Sequence, residues 1–173
     1  MAKRVSKNYI NGADLIDAIT EYKASCDAAR AEGAELPRVT NYIGECIQSM
    51  AYRLATKPNF SNYSFKEDMI MDGIENCLRY IENFDPTKYA VPNAFAYFTQ
   101  IIFYAFLRRI AKEKKHLYTR LKSSQLMVAM GQTHAGGEDI SLYLNIDASY
   151  IDTYIQEYED KMERDKQKGR AKK

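Results

Sequence analysis

Apolar residues along this chain recur at steps of three and four, never in sustained alternation, a pattern that predicts helices and no strands. Leu15, Ile16, Ile19, Tyr22 and Cys26 form one stripe of a helix from about Asn11 to Arg30, and Gly33 and Pro37 mark the loop after it. Ile43, Ile47, Met50 and Leu54 share a face of a second helix over about Thr40 to Thr56. Pro58 ends it, because the residue before a proline avoids the helical region, and Asn59 to Tyr63 reads as loop. Ser64 and Glu67 have the spacing of a capping box at the start of a third helix. Met69, Ile70, Ile74, Cys77, Leu78 and Ile81 line its core side, and Asp68, Asp72, Glu75, Asn76 and Arg79 fall on the other. The turn Asn83-Phe84-Asp85-Pro86 stops it.

A fourth helix opens near Pro92, a favoured first-turn residue, and runs to about Lys115 or further. Three glycines between Gly131 and Gly137 read as a linker. Ile151, Tyr154, Ile155, Tyr158 and Met162 make the stripe of a last helix over about Ala148 to Lys166, with Asp147 or Ser149 as its cap. The remainder carries five basic residues from Lys166 to Lys173 and is predicted to be disordered. The organisation is therefore all-α: a helical domain over 8–122, a linker over 123–146, an amphipathic helix over 147–166 and a basic tail over 167–173.

Composition agrees with that class, since 8 glycines and 4 prolines in 173 residues are too few for a turn-rich β protein. Charge adds more. The net charge is only +2, yet Arg108, Arg109, Lys112, Lys114, Lys115, Arg120 and Lys122 lie within fifteen residues that hold one acid, Glu113. A nearly neutral chain with one concentrated basic segment fits local nucleic-acid contact. Six acids and two bases between Ser61 and Pro86 give the third helix the opposite character, suited to a protein partner or to solvent. Cys26, Cys46 and Cys77 are odd in number and lack metal-knuckle spacing, which points to a reducing cytoplasm rather than a disulfide framework. No run approaches the roughly 20 apolar residues of a membrane span, and no apolar run follows the basic Met1 to Lys7, so no secretory signal is expected.

The fourth helix is the unusual one. Phe95, Tyr97, Phe98, Phe103, Tyr104 and Phe106 put six aromatics into twelve residues, too many for a single face. Phe95, Phe98 and Ile102 share one stripe and Ile101, Tyr104 and Arg108 the next, and periodicity alone leaves open which is buried. Aromatics followed directly by cations suit DNA whose bases are being unstacked, the rings replacing lost stacking and the cations holding phosphates. The competing reading is an aromatic core helix with a solvated basic end. Signals of catalysis are poor: His116 and His134 have no partners at ligand or triad spacing, and no phosphate-binding glycine loop is present. Neither enzymatic activity nor a cofactor is expected.

The order of three motifs carries a resemblance. Asp68-Met69-Ile70, Asp72-Gly73 and Phe84-Asp85-Pro86, followed by the aromatic helix and its basic end, resemble the second conserved region of bacterial sigma factors. Asn8-Tyr9, Phe60-Ser61-Asn62-Tyr63, Met69 to Glu75 and Asn83 to Tyr89 are similar to the late-transcription sigma factors of T4-like bacteriophages. The resemblance covers about Asn8 to Lys122, with a weaker echo over Asp147 to Glu163.

The resemblance implies a sigma region-2-like domain in the cytoplasm of an infected bacterial host. Asp68, Asp72, Glu75, Asn76 and Arg79 would bind core RNA polymerase at the clamp helices of its largest subunit. Phe95 and Phe98 would capture bases of the non-template strand of an AT-rich, −10-type promoter element, and Arg108, Arg109, Lys112, Lys114 and Lys115 would hold DNA. The family also brings a phage co-activator or a sliding clamp as partners. The chain departs from the primary pattern in having Phe98-Thr99 in place of a tandem tryptophan pair. It shows no later helix-turn-helix domain, and it ends in basic residues rather than a hydrophobic-acidic clamp-binding motif. A helical adaptor of polymerase and a non-specific single-strand binder are the rival expectations. Opening about ten base pairs costs roughly 14 kcal/mol at about 1.4 per step, against about 1–3 kcal/mol for each captured base, so a protein of this kind works inside a larger machine.

Overall fold

Every regular element in the computed structural model is helical among the residues it describes, 9–88, 90–129 and 148–170, so the all-α class holds there. The helices are α1 (Gly12–Glu32), α2 (Asn41–Ala55), α3 (Pro58–Ser61), α4 (Lys66–Arg79), α5 (Ala94–Ala129) and α6 (Ala148–Arg170), with single 3₁₀ turns at Ile81–Asn83 and Pro86–Lys88. The chain divides into two compact units, Met1–Ile110 and Ala111–Lys173, and the boundary falls within α5 rather than at Lys122.

In the first unit local chemistry sets each helix end. The Asn11 side chain accepts from the Ala13 amide at 3.1 Å to open α1. Gly33 closes it at φ 67°, a left-handed residue past which the Ala34 amide reaches the Ala29 carbonyl at 2.9 Å. Thr40 caps α2 through the Ile43 amide. Two expectations change here. Pro58 opens the short α3 instead of a loop, because its fixed φ and missing N–H suit a first helical position. The capping box of Ser64 and Glu67 does not form. The Lys66 amide donates to the Tyr63 carbonyl, that turn puts Phe65 in the cap position, and α4 starts without a side-chain cap.

The core of this unit joins Leu15, Ile19, Ile43, Ile47, Met69, Ile70, Cys77, Ile81, Phe84, Phe98, Ile102 and Phe106. α4 and α5 meet at Gly73, where an added Cβ would lie 3.0 Å from Ile102 Cγ2 and 3.1 Å from Phe106 Cε1. The glycine of the Asp72-Gly73 motif is thus a close-approach residue. The Phe84-Asp85-Pro86 turn is pinned from both sides. Phe84 is buried, its carbonyl accepts from Lys23 Nζ at 2.7 Å, and the Asp85 carboxylate accepts from the Thr87 hydroxyl and amide. Those two bonds hold the Asp85 carboxyl below its usual range. Asn93, just after Pro92, opens α5 by accepting from the Ala96 amide at 2.9 Å.

Among its described residues the second unit has a core of its own, Leu121, Ile151 and Ile155, flanked by Leu117, Tyr118 and Tyr154. Glu159 accepts from Tyr118 at 2.8 Å and pairs with Lys122 at 3.0 Å, and Gln125 donates to Asp152. The α6 stripe therefore packs on the C-terminal part of α5, except for Met162, which stays exposed. Two further boundaries move. Residues 123–129 are helix, not linker, because Leu117 and Leu121 find partners on α6. Residues 167–170 are helix, not disordered, since Lys166, Gln167 and Lys168 are good helix formers. The glycine segment, His134, Asp147 and residues 171–173 lie outside the described residues. No described helix is long and apolar enough to cross a membrane.

Candidate functional site

The outer face of α4 is a mixture of acids and apolar side chains. Asp68, Glu75 and Arg79 are exposed, and Glu75 is paired with Arg79 one turn on. Between them Met71 is 56% and Leu78 39% exposed. With half-buried Ile74 these line a groove of about 490 Å³ against Val39, Thr40, Gly44, Glu45 and Gln48 of α2 and the loop before it. Met71 and the placement of Ile74 and Leu78 at the groove were missed in sequence, where Ile74 and Leu78 read as core. Spacing of seven between Met71 and Leu78 was the available signal.

Asp72 and Asn76 turn the other way. Arg109 donates to both carboxylate oxygens of Asp72, at 2.7 and 3.0 Å, and the two side chains are only 18% and 33% exposed. Arg108 donates to Asn76 Oδ1 at 3.0 Å. Residues expected on two separate binding surfaces are thus joined to one another. The Asp72–Arg109 pair is an inter-helix tie in this structure, while Arg108 keeps an exposed side chain.

Phe98 requires a correction. It has no exposed surface, packing against Phe84 and Tyr97 at ring separations of 6.2 and 5.1 Å, with its carbonyl facing the Cys77 thiol. It is a core residue and offers no face to a base. Phe95 is half-buried, edge-on to Tyr9 at 5.8 Å, in the wall of a pocket of about 420 Å³ shared with Ile10, Pro92 and Asn93. Tyr9 in turn lies under the Arg53 guanidinium, 3.8 Å from the ring centre.

The exposed aromatics of α5 are instead Phe103 at 38% and Tyr104 at 50%, beside Leu107 at 41%. Together with exposed Gln100 and Arg108 they recur at three- and four-residue steps and so share a face. Of the two stripes left open by periodicity, the one through Phe98 and Ile102 is buried, and Tyr104 and Arg108 belong to the exposed one. Gln100, Phe103 and Leu107 were missed. Ala94 and Ala105, both buried in phase with Phe98 and Ile102, were the signal: small residues on an aromatic helix mark where neighbouring helices approach.

In the second unit Lys112 and Lys115 are exposed. Lys114 lies in a different place, lining a groove of about 310 Å³ with Tyr154, Tyr158, Lys161 and Met162 of α6. Among the described residues no cluster of three or more His, Cys, Asp or Glu could hold a metal ion. Cys26, Cys46 and Cys77 are free thiols and buried. No protein-family model matches the chain, and no curated protein matches it in sequence.

Proposed function

We propose that this chain is a non-enzymatic initiation factor of the sigma type, docking on core RNA polymerase through α4 and on the opened non-template strand of an AT-rich, −10-type element through α5. The observation that carries the reading is the division of labour between the two helices that bear the sigma-like motifs. They pack together at Gly73, and each leaves a distinct chemistry outside. On α4 an apolar strip of Met71, Ile74 and Leu78 runs alongside Asp68 and Glu75. An exposed apolar strip with a charged rim is characteristic of protein interfaces. On α5 the strip is Gln100, Phe103, Tyr104, Leu107 and Arg108, aromatic surface beside a cation, which suits unstacked bases and their phosphates. Polymerase binding is assigned here to Asp68, Met71, Ile74, Glu75 and Leu78, and base contact to Tyr104 and Phe103, with Phe95 at its own pocket.

A run-off assay with core polymerase on an AT-rich promoter tests this, and start-site-specific transcript is expected only when the chain is added. Met71→Glu with Leu78→Glu should abolish co-purification with polymerase in a chain that still folds. Tyr104→Ala with Phe103→Ala should impair opening on duplex template and recover on a template mismatched over the bubble. Co-purification without specific transcript would identify an adaptor instead, and single-strand binding without co-purification a non-specific binder.

A further inference from the structure

The last helix carries a face that neither its packing on α5 nor the reading above uses. Ile151 and Ile155 are buried in the core of the second unit, and Tyr158 stacks on Tyr118 with ring centres 4.4 Å apart. These residues mark the covered side of α6. At about 100° per residue, Tyr150, Tyr154, Glu157, Lys161, Arg164 and Lys168 fall on a separate side, within an arc of about 80°. Tyr154 is half-buried and the other five are exposed, Tyr150 by 53%. The rings of Tyr150 and Tyr154 lie 6.2 Å apart and nearly parallel, so one end of the face holds two aromatic side chains already in order. Charge is divided along the helix. From Ala148 to Asp160 there are four acids and no base, and from Lys161 to Lys168 four bases and two acids. No ion pair among the described residues uses Glu157, Lys161, Arg164 or Lys168.

We propose that this face joins two copies of the chain, their α6 helices packed antiparallel about a two-fold axis level with Glu159. Charge complementarity selects both the occupant and the direction. A two-fold contact must be complementary to itself, and a helix acidic in its first half and basic in its second matches its own copy only when the copy runs the other way. A parallel pair would set acid against acid and lysine against lysine. In the antiparallel pair, positions equidistant from Glu159 meet. Glu157 then faces Lys161 of the second copy, and Tyr150 faces Lys168 of the second copy, each contact occurring twice by symmetry. The first is an ion pair and the second a cation over an aromatic ring. Exposed ion pairs contribute little by themselves, and here the tyrosine rings and the lysine stems supply the apolar area. A contact made by one helix face lies at the low end of specific interfaces, so the dimer forms as concentration rises and separates on dilution. It needs neither polymerase nor DNA and stands independently of the initiation-factor reading.

The test is sedimentation equilibrium of the full chain over a wide concentration range at low salt, where the mean mass should rise from that of one chain towards that of two. Glu157→Lys and Lys161→Glu, each alone, turn both ion pairs into like-charge contacts and should leave the chain monomeric at concentrations where the wild type is half dimeric. An equal mixture of these two variants brings opposite charges together again and should recover the dimer. The double variant Glu157→Lys, Lys161→Glu exchanges the two charges without altering the net charge, and it should dimerise like the wild type. Circular dichroism confirms that each variant folds. A wild type that stays monomeric throughout, a folded single variant that still dimerises, or a mixture and a double variant that both stay monomeric would overturn the contact. Loss of polymerase co-purification in the single variants, with a monomeric wild type, would give the face to polymerase and overturn it too. Failure of the initiation-factor reading alone would show differently, as missing run-off transcript with the sedimentation results as expected.

Discussion

Two aromatic residues six positions apart on one helix, Phe98 and Tyr104, have opposite fates, and the difference is measurable. Phe98 fills the space between Phe84, Tyr97 and Cys77 with no exposed surface. Phe98→Ala should cost about 3–5 kcal/mol for a large buried cavity, seen as a lowered denaturation midpoint. Tyr104→Ala should stay within about 0.5 kcal/mol, as for other surface changes, while impairing promoter opening. A second residue-scale expectation concerns Cys77, whose thiol burial pushes up from 9.0 to about 12. Folding thus favours the protonated form. Its contribution is complete below the ordinary thiol pKa and is lost as pH rises from about 9 towards 12. Chemical denaturation across that window should show falling stability, less steeply in Cys77→Ala. Burial also raises Tyr22 to about 12, so part of the slope should survive that substitution.

At the scale of elements, the contact between α4 and α5 is the vulnerable one. A Cβ at Gly73 meets Ile102 and Phe106 at the limit of tolerance, so Gly73→Ala needs only a small shift, whereas Gly73→Leu must force the helices apart. Overpacking of this kind costs about 1–3 kcal/mol or more, and a melt of the two variants should separate them clearly. Arg109→Ala strips the half-buried Asp72 carboxylate of a two-pronged partner and should destabilise by about 1–3 kcal/mol, partly recovered by the double variant Asp72→Ala, Arg109→Ala. Much of this layer was legible in sequence. The stripe from Leu15 to Cys26 placed α1, and Thr40 and Pro58 bracketed α2, but α4 ends at Arg79, short of the turn at Phe84 and Pro86, with a 3₁₀ turn over Ile81–Asn83 between them. What was not legible depended on distant partners. Either stripe of α5 offers aromatics to a core, and only the packing with Phe84, Tyr97 and Cys77 chooses the one through Phe98. The length of α5 depended on Leu117 and Leu121 meeting Ile151 and Ile155 across more than twenty residues of chain. The capping box at Ser64 matched in spacing but lost to a backbone turn. Among candidate site residues, the exposed polar ones of α4 were readable, but the inward turn of Asp72 and Asn76 was not, because their partners lie on α5.

For the whole molecule, the two units differ in how much they bury. Among the described residues, the first rests on a large continuous core and the second on Leu121, Ile151, Ile155 and three flanking side chains. Stability is local in such a chain, and opening free energy follows buried apolar contact. Hydrogen exchange should therefore find the amides of α6 among the fast-exchanging ones and those around Ile70 and Ile102 among the slowest. Glu159→Gln, which weakens the tie to Lys122 and Tyr118, should speed α6 further and leave the first unit unaffected.

The Asp72–Arg109 pair has one more consequence, for how two partners would sense each other. One member lies on the helix proposed to meet polymerase, the other on the helix proposed to meet DNA. A partner that draws the carboxylate to itself loosens the hold of α4 on the guanidinium. A phosphate that takes the guanidinium leaves behind a carboxylate more available to the first partner. Thermodynamic reciprocity makes these two effects equal, so whatever factor polymerase adds to the affinity for DNA through this pair, DNA returns in the affinity for polymerase. Assembly would then be cooperative to the extent that both partners act on this ion pair.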